Sequence, residues 1–328
     1  MVLSIVRFNQ AQPGLDPTEM ASRYQASIDM AAHADAHGIQ IVSLEEHHGA
    51  EDGWSPSPLI TAGLVFGRCP SIHVSVSALL LPLHDPLRVA EDIAVLDLAS
   101  GGRLSVVLGL GYRPEEYAAH GKDWDGRGAL MDEAVAAVLA AWTGEPFEHH
   151  GVTVRVTPVP VSRPARMILI GGTAKASARR AVRFGLPFHP AADLPQLADY
   201  YRALCAEAGV RAMCIMPSSD TSMVHVAVDP DKAWAEVGPC FLHEALTYHG
   251  WQRPQNRSAV HSHATTVEEL RAERIYQVLT PAECVARAEE RGAAATFALH
   301  PLVGGMPIEA GWESLRLFTD EVLPALAR

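Results

Sequence analysis

None of the five cysteines, Cys69, Cys205, Cys214, Cys240 and Cys284, has a close CxxC neighbour. An odd, scattered set argues against both a disulfide framework and a thiolate zinc site, and each reads as a small core or surface residue. Basic charge is also short: 26 Lys and Arg against 38 Asp and Glu leave a formal net charge of −12. Without a basic patch to displace phosphate counterions, the chain is not expected to bind nucleic acid or an anionic membrane surface. No apolar run approaches the roughly 18–20 residues of a spanning helix. The N-terminus lacks a basic stretch followed by a long apolar core, so the expectation is a cytoplasmic protein. No GxGxxG follows the first strand, which removes the main signal for an open dinucleotide-binding sheet.

What the chain does have is alternation. Its 328 residues, 48% hydrophobic, suffice for one α/β barrel of roughly 250 residues plus insertions. Apolar, β-rich runs at 2–8, 39–44, 72–81, 103–108, 167–170, 186–189, 223–228 and 294–299 read as eight strands. Helical patterns separate them, at 17–38, from 58, at 86–99, around 130–142 and at 176–184. Near-continuous apolar strands imply parallel pairing with both faces covered. The expected fold is a single (β/α)8 TIM barrel spanning residues 1–328. Two insertions interrupt it: a Val-, Pro- and Thr-rich hairpin near 144–164 and a polar, lid-like stretch near 248–274 carrying His249, His261 and His263.

The second strand ends in IVSLEEHH at 41–48, where two carboxylates and two imidazoles follow a buried run. Groups this polar need partners, and the carboxyl end of a barrel strand is where ligands bind. Imidazole titrates near neutrality, so a histidine there can move protons. The third strand carries small residues at Ser75, Ser77 and Ala78, which suit either tight interior packing or a flat ligand against the backbone. The fourth ends in Gly109 and Gly111, permitting close approach, followed by Tyr112 and Arg113. Arg113 reads equally as a surface ion pair with Glu115 or Glu116. The fifth ends in Gly171, Gly172 and Thr173 at a helix start, where free N–H groups and the helix dipole favour an anion such as phosphate. A cap by Thr173 explains the threonine but not both glycines.

These segments, in this order, resemble the bacterial luciferase-like flavin monooxygenase family, from Val2 to about Pro187 and more weakly beyond. The specific pieces are LEEHH at 44–48, LPLHDPLRVAEDIAVLDLASGGRL at 81–104 and GGTAKASARRAVRFGLP at 171–187. The resemblance implies that His47 is the histidine beside the flavin ring, supporting its oxygen-reactive reduced states, with Glu46 just before it. Ser77–Ala78 matches a non-prolyl cis peptide that props the ring. Gly109 falls where luciferases carry a cysteine. Thr173, Ala174 and Ser177, with Gly171 and Gly172, match the phosphate-holding helix start. An arginine that often follows the Gly109 position is Leu110 here, so Arg127 and backbone amides are left to hold the phosphate.

The implied activity is an FMN-dependent monooxygenase that uses reduced flavin from a separate flavin reductase and O2 to oxygenate a small organic substrate. Trp54, Tyr112, Arg113 and the lid are the expected substrate contacts. A deazaflavin-dependent oxidoreductase working by hydride transfer is the nearest alternative, and a non-catalytic flavin-binding protein a further one. A metal hydrolase on His47, His48 and His84 is conceivable on a barrel. No regular carboxylate–histidine ligand set accompanies them, so no metal is expected. The resemblance also implies a homodimer through helices of the first half, with Leu59, Leu64, Val65, Ile93 and Leu96 supplying apolar faces.

Overall fold

The computed structural model describes residues 2–217, 223–251 and 260–327. Eleven strands are present: β1 (Leu3–Phe8), β2 (Ile41–Leu44), β3 (His73–Leu79), β4 (Leu104–Leu108), β5 (Phe147–His149), β6 (Val152–Val154), β7 (Ile168–Gly172), β8 (Phe188–Pro190), β9 (Met223–Val226), β10 (Tyr276–Leu279) and β11 (Thr296–Leu299). Twelve helices concern the argument: α1 (Pro17–Ala36), α2 (Pro58–Arg68), α3 (Pro86–Ser100), α4 (Pro114–Ala119), α5 (Arg127–Ala141), α6 (Pro164–Met167), α7 (Lys175–Phe184), α8 (Pro195–Glu207), α9 (Pro230–Trp251), α10 (Val267–Glu273), α11 (Pro281–Arg291) and α12 (Ile308–Leu317).

Nine strands form one parallel sheet in the order β10-β9-β11-β1-β2-β3-β4-β7-β8. The (β/α)-barrel architecture expected from the alternation is present, with one strand more than the eight expected. The ninth is β10, four residues inserted beside β9, paired from Tyr276↔Met223 to Leu279↔Val226. The antiparallel ribbon β5–β6 falls inside the Val-, Pro- and Thr-rich insertion. Buried Asp97 on α3 accepts hydrogen bonds from Val161 N (2.8 Å) and Ser162 N (2.9 Å), anchoring the segment that follows the ribbon.

Local chemistry explains the punctuation. Proline opens α1, α2, α3, α4 and α11, where its missing N–H costs nothing. Asp16 and Asp85 cap α1 and α3 by accepting from the amides two and three residues ahead. β4 and β7 are almost wholly buried, as expected of strands covered on both faces.

The barrel interior is not purely apolar. Arg7 on β1 donates to Glu45 through two nitrogens, one at 2.8 Å, and to the Tyr248 hydroxyl at 2.9 Å. Buried Glu244 accepts from Asn9 (2.6 Å) and from Tyr276. Burial alone would raise the Glu244 pKa, but Arg7, His300 and Tyr276 hold it down to about 2.

The segment read as a polar lid is divided differently. Tyr248–Trp251 is the last turn of α9, and α10 occupies Val267–Glu273. Residues 252–259 lie outside the described residues. Tyr248, Val260, Ala264 and Leu270 are buried, so both flanks of the stretch read as polar carry apolar anchors.

Candidate functional site

The carboxyl ends of β2, β3, β4, β7 and β8, with the end of α9, enclose a cavity of about 450 Å³. Its wall contains Glu46, His47, Ser77, Ala78, Gly109, Tyr112, Arg127, Gly171, Gly172, Thr173, Ala174 and Ser177. All of the cofactor contacts expected from the sequence therefore converge on one space. The Ser77–Ala78 peptide is cis.

On the wall just after β2 stands His47, 5% exposed. Its Nδ1 lies 2.9 Å from Glu116 Oε1 and its Nε2 3.0 Å from the Tyr112 hydroxyl. A carboxylate can only accept, so Nδ1 carries a hydrogen, and in the neutral ring Nε2 accepts from the hydroxyl. Glu116 Oε1 also accepts from His48 N (2.9 Å) and Arg113 (3.2 Å). Burial pushes the Glu116 pKa up, but the hydrogen bond from His47, the His48 amide and Arg113 outweigh it and hold the carboxyl below its usual range. Around the imidazole stand Trp251 (4.6 Å between ring centres), Tyr112 (5.3 Å) and Trp54 (5.5 Å).

Two expected substrate contacts are placed elsewhere. Trp54 is 2% exposed and packs behind His47, against Tyr248 and Trp251, away from the cavity wall. Arg113 is buried as well. Its guanidinium lies 4.3 Å over the Trp251 ring and donates to His48 O (2.9 Å), so its pair with Glu116 is internal and not on the surface.

Glu46 forms a second polar centre beside the first. Its Oε1 accepts from His48 Nε2 (3.0 Å) and His84 Nε2 (2.5 Å), while Oε2 accepts from Leu80 N. Burial is again the largest influence and raises the pKa, yet these donors bring it down to about 2. The carboxylate accompanying His48 and His84 is thus Glu46, and His47 is outside that set. Its oxygens are already engaged by N–H donors.

Three strands along the sheet from β2, β7 runs into α7 on the same wall. Ala174 occupies the N-cap position and makes no side-chain cap, so Thr173 is not the cap that the sequence allowed. Ser177 N donates to Ala174 O (3.0 Å), and no side chain caps the amides of Lys175 and Ala176 ahead of it. Gly172 has φ +143°, and a Cβ there would overlap the Ser177 hydroxyl and stand 2.9 Å from Ser177 Cβ. A Cβ on Gly109 would stand 2.8 Å from Ala78 Cβ, so a cysteine cannot be accommodated without movement. Arg127 reaches this space with its guanidinium 4.0 Å over the Trp124 ring and one nitrogen donating to Trp124 O (2.7 Å). Leu110 lines the wall where an arginine was wanting.

Glu116, Tyr248 and Trp251 were not singled out as site residues by the sequence. Glu116 had a signal: it sits one turn into a helix started by Pro114, three residues after Arg113. The two aromatics are brought in by α9 from far along the chain.

Known proteins share this fold. The family model for luciferase-like monooxygenases matches residues 1–297. The oxygenase component of a flavin-dependent trigonelline monooxygenase from Acinetobacter baylyi is 24% identical over 169 residues, covering 49% of this chain and 47% of that one. The match thus spans about half the length of that curated relative. Monooxygenase RslO1 from Streptomyces bottropensis superposes with a TM-score of 0.77 at 26% identity, covering 99% of this chain and 100% of that one. The oxygenating constituent of 3,6-diketocamphane monooxygenase from Pseudomonas putida, solved with FMN, gives 0.68 at 19%, with 98% of each chain covered. A coenzyme F420-dependent tetrahydromethanopterin reductase from Methanopyrus kandleri gives 0.62 at 16%, covering 98% of this chain and 99% of that one. With a parallel barrel, a histidine at the end of its second strand, a cis peptide on its third and a model match over most of its length, the chain belongs to the luciferase-like monooxygenase family of flavin-dependent oxidoreductases.

Proposed function

We propose that this chain is the oxygenase of a two-component system, using reduced FMN from a separate reductase and O2 to oxygenate a small organic substrate. The observation that carries the reading is what lines the cavity: a histidine with both nitrogens engaged at the end of β2 and, three strands along the sheet, a helix N-terminus without a side-chain cap after β7, with Arg127 also on the wall. That layout suits a long ligand with a flat head and an anionic tail. Backbone amides, the Ser177 hydroxyl and the Arg127 cation are the chemistry a phosphate needs. When bound, reduced flavin supplies the electrons that activate oxygen.

The chain's own groups then have definable tasks. Ser77, Ala78 and Gly109 leave a wall without bulk for a planar ring. His47 holds or moves a proton at Nε2, in exchange with the Tyr112 hydroxyl. Glu116 fixes the tautomer that makes this possible. Trp251, Trp54 and Tyr248 keep water from the imidazole. Because Tyr112 lies on the wall while Trp54 and Arg113 do not, Tyr112 is the retained candidate for substrate contact.

The test is an anaerobic titration with reduced FMN and, separately, reduced deazaflavin, followed by an oxygen pulse and product analysis. Preferential binding of FMN with oxygen incorporated into an added substrate is expected. Preference for the deazaflavin with hydride transfer would replace this reading by the reductase one. Flavin binding without turnover of any kind would leave a binding protein.

A further inference from the structure

Outside the cavity, a second group of ligand-type side chains lies where the first helix meets the last. His33 and His37 stand four residues apart at the end of α1, one helical turn, with ring centres 4.0 Å apart. His37 Nδ1 lies 2.7 Å from His33 O. A carbonyl only accepts, so Nδ1 carries the hydrogen and the lone pair is on Nε2. His33 is half-buried against Trp312 and meets Thr319 Oγ1 at 3.0 Å. Burial lowers the pKa of its ring, His37 and Arg316 add to this, and Asp320 opposes it. A neutral imidazole is the form that ligates metals.

The third member comes from the opposite end of the sequence. Phe318–Val322 is a π-helical turn, and Thr319 Oγ1 on it lies 3.0 Å from Asp320 Oδ1. One ligand atom each from His33, His37 and Asp320 lies within 4.8 Å of the others. Two further features favour a cation. The pair sits at the carboxyl end of α1, where the helix dipole is negative. Asp320 also borders a surface hollow of about 250 Å³ lined by Glu309, Glu313 and Glu321. The hollow's one cation, Arg316, has its guanidinium 5.0 Å over the Trp312 ring.

We infer that His33, His37 and Asp320 form a site for a divalent transition metal of the zinc class, which pins α1 to the π turn of the closing helix. Two imidazoles and one carboxylate select zinc, copper or nickel over calcium or magnesium, and water completes the coordination. The site joins helices next to β1 and β11, the paired strands at the seam between the two ends of the chain. It is independent of the flavin cavity and does not rest on the proposed reaction.

The experiment uses flavin-free protein stripped with a chelator and titrated with Zn2+ against a chromophoric competitor, with thermal unfolding in parallel. One Zn2+ per chain is expected, with a dissociation constant of about 10 μM or tighter, and with a rise in Tm under excess metal. His37→Ala and Asp320→Asn alter exposed side chains and should each weaken binding by about tenfold or more while the metal-free Tm stays as in the wild type. His84→Ala should leave the affinity unchanged. The inference is overturned if the wild type takes up no stoichiometric Zn2+, or if binding survives both α1–π-turn variants. Loss of binding in His84→Ala would also overturn it, since the metal would then sit on Glu46, His48 and His84.

Discussion

At His47 both ring nitrogens have partners: buried Glu116 accepts a hydrogen bond from Nδ1–H, and the Tyr112 hydroxyl lies 3.0 Å from Nε2. His47→Ala should lower oxygen transfer by about 10²-fold or more, as for loss of a proton-transfer group, and leave most FMN affinity. Unchanged turnover in that variant removes His47 from the mechanism. Glu116 acts through His47 and is a positioning residue. Glu116→Ala should lower kcat with little change in flavin affinity, and Glu116→Gln, which still accepts the Nδ1 proton, should restore part of it. If the Gln and Ala variants are equally slow, tautomer control is the wrong account. Glu46 makes a separate prediction about acid stability. Its pKa falls from an ordinary 4.5 to about 2 in the folded chain, so between these values the unfolded state binds more protons. The stabilisation it gives is fully present above pH 4.5 and is lost as pH falls towards 2. Denaturant midpoints measured downward from pH 6 should therefore drop less steeply for Glu46→Gln than for the wild type, and an unaltered slope would contradict the linkage.

Elements bring these residues together, and they also set what the sequence can disclose. The ends of β2, β3, β4 and β7 were legible because each is a contiguous motif whose polar or glycine residues follow a buried run. Tyr248 and Trp251 were legible only as the start of the lid near 248–274, since their place beside His47 comes from the direction of α9, and no local pattern carries that. Trp54 misled for a related reason: sequence gives an aromatic near the site but not which side of His47 it packs on. β10 was missed because its four residues, YQVL, follow a polar stretch and are too short for periodicity to register. At the β7–α7 junction the glycines were read correctly as special and the threonine was not needed as a cap. Gly172→Ala places a Cβ against Ser177 at a φ that L-residues rarely adopt, which disturbs the proposed phosphate turn. It should weaken FMN much more than riboflavin, which has no phosphate. Equal weakening would put the phosphate elsewhere. At the end of α9, Trp251→Ala opens the packing over His47 and Arg113. The ratio of hydrogen peroxide to oxygenated product should rise, and a wild-type ratio would show that Trp251 does not shield the site.

For the whole molecule, the question is which surface is left apolar. On a chain with net charge −12, Ile60 and Leu64 of α2 are 69% and 52% exposed, and Val95 and Leu98 of α3 are 51% and 42% exposed. The two helices are neighbours: a Cβ on Gly63 would lie 3.5 Å from Leu96 Cδ2. Two of the residues expected to face a partner, Val65 and Ile93, instead point into the barrel and are buried, so the interface reading moves one step round each helix. Four large apolar side chains on adjacent helices form the kind of patch that monomers seldom expose without use. We propose that this face pairs with its counterpart in a second copy, as an isologous twofold contact. A stable pair of this type buries about 800 Å² on each partner, an area that two helices of 11 and 15 residues can supply together with their flanking loops. Sedimentation at micromolar concentration should show a dimer. Leu64→Glu combined with Val95→Glu places like charges across the axis and should give monomers whose circular dichroism matches the wild type, because neither side chain belongs to the core. A wild-type monomer at that concentration, or a dimer that survives both glutamates, would assign the patch no role in self-association.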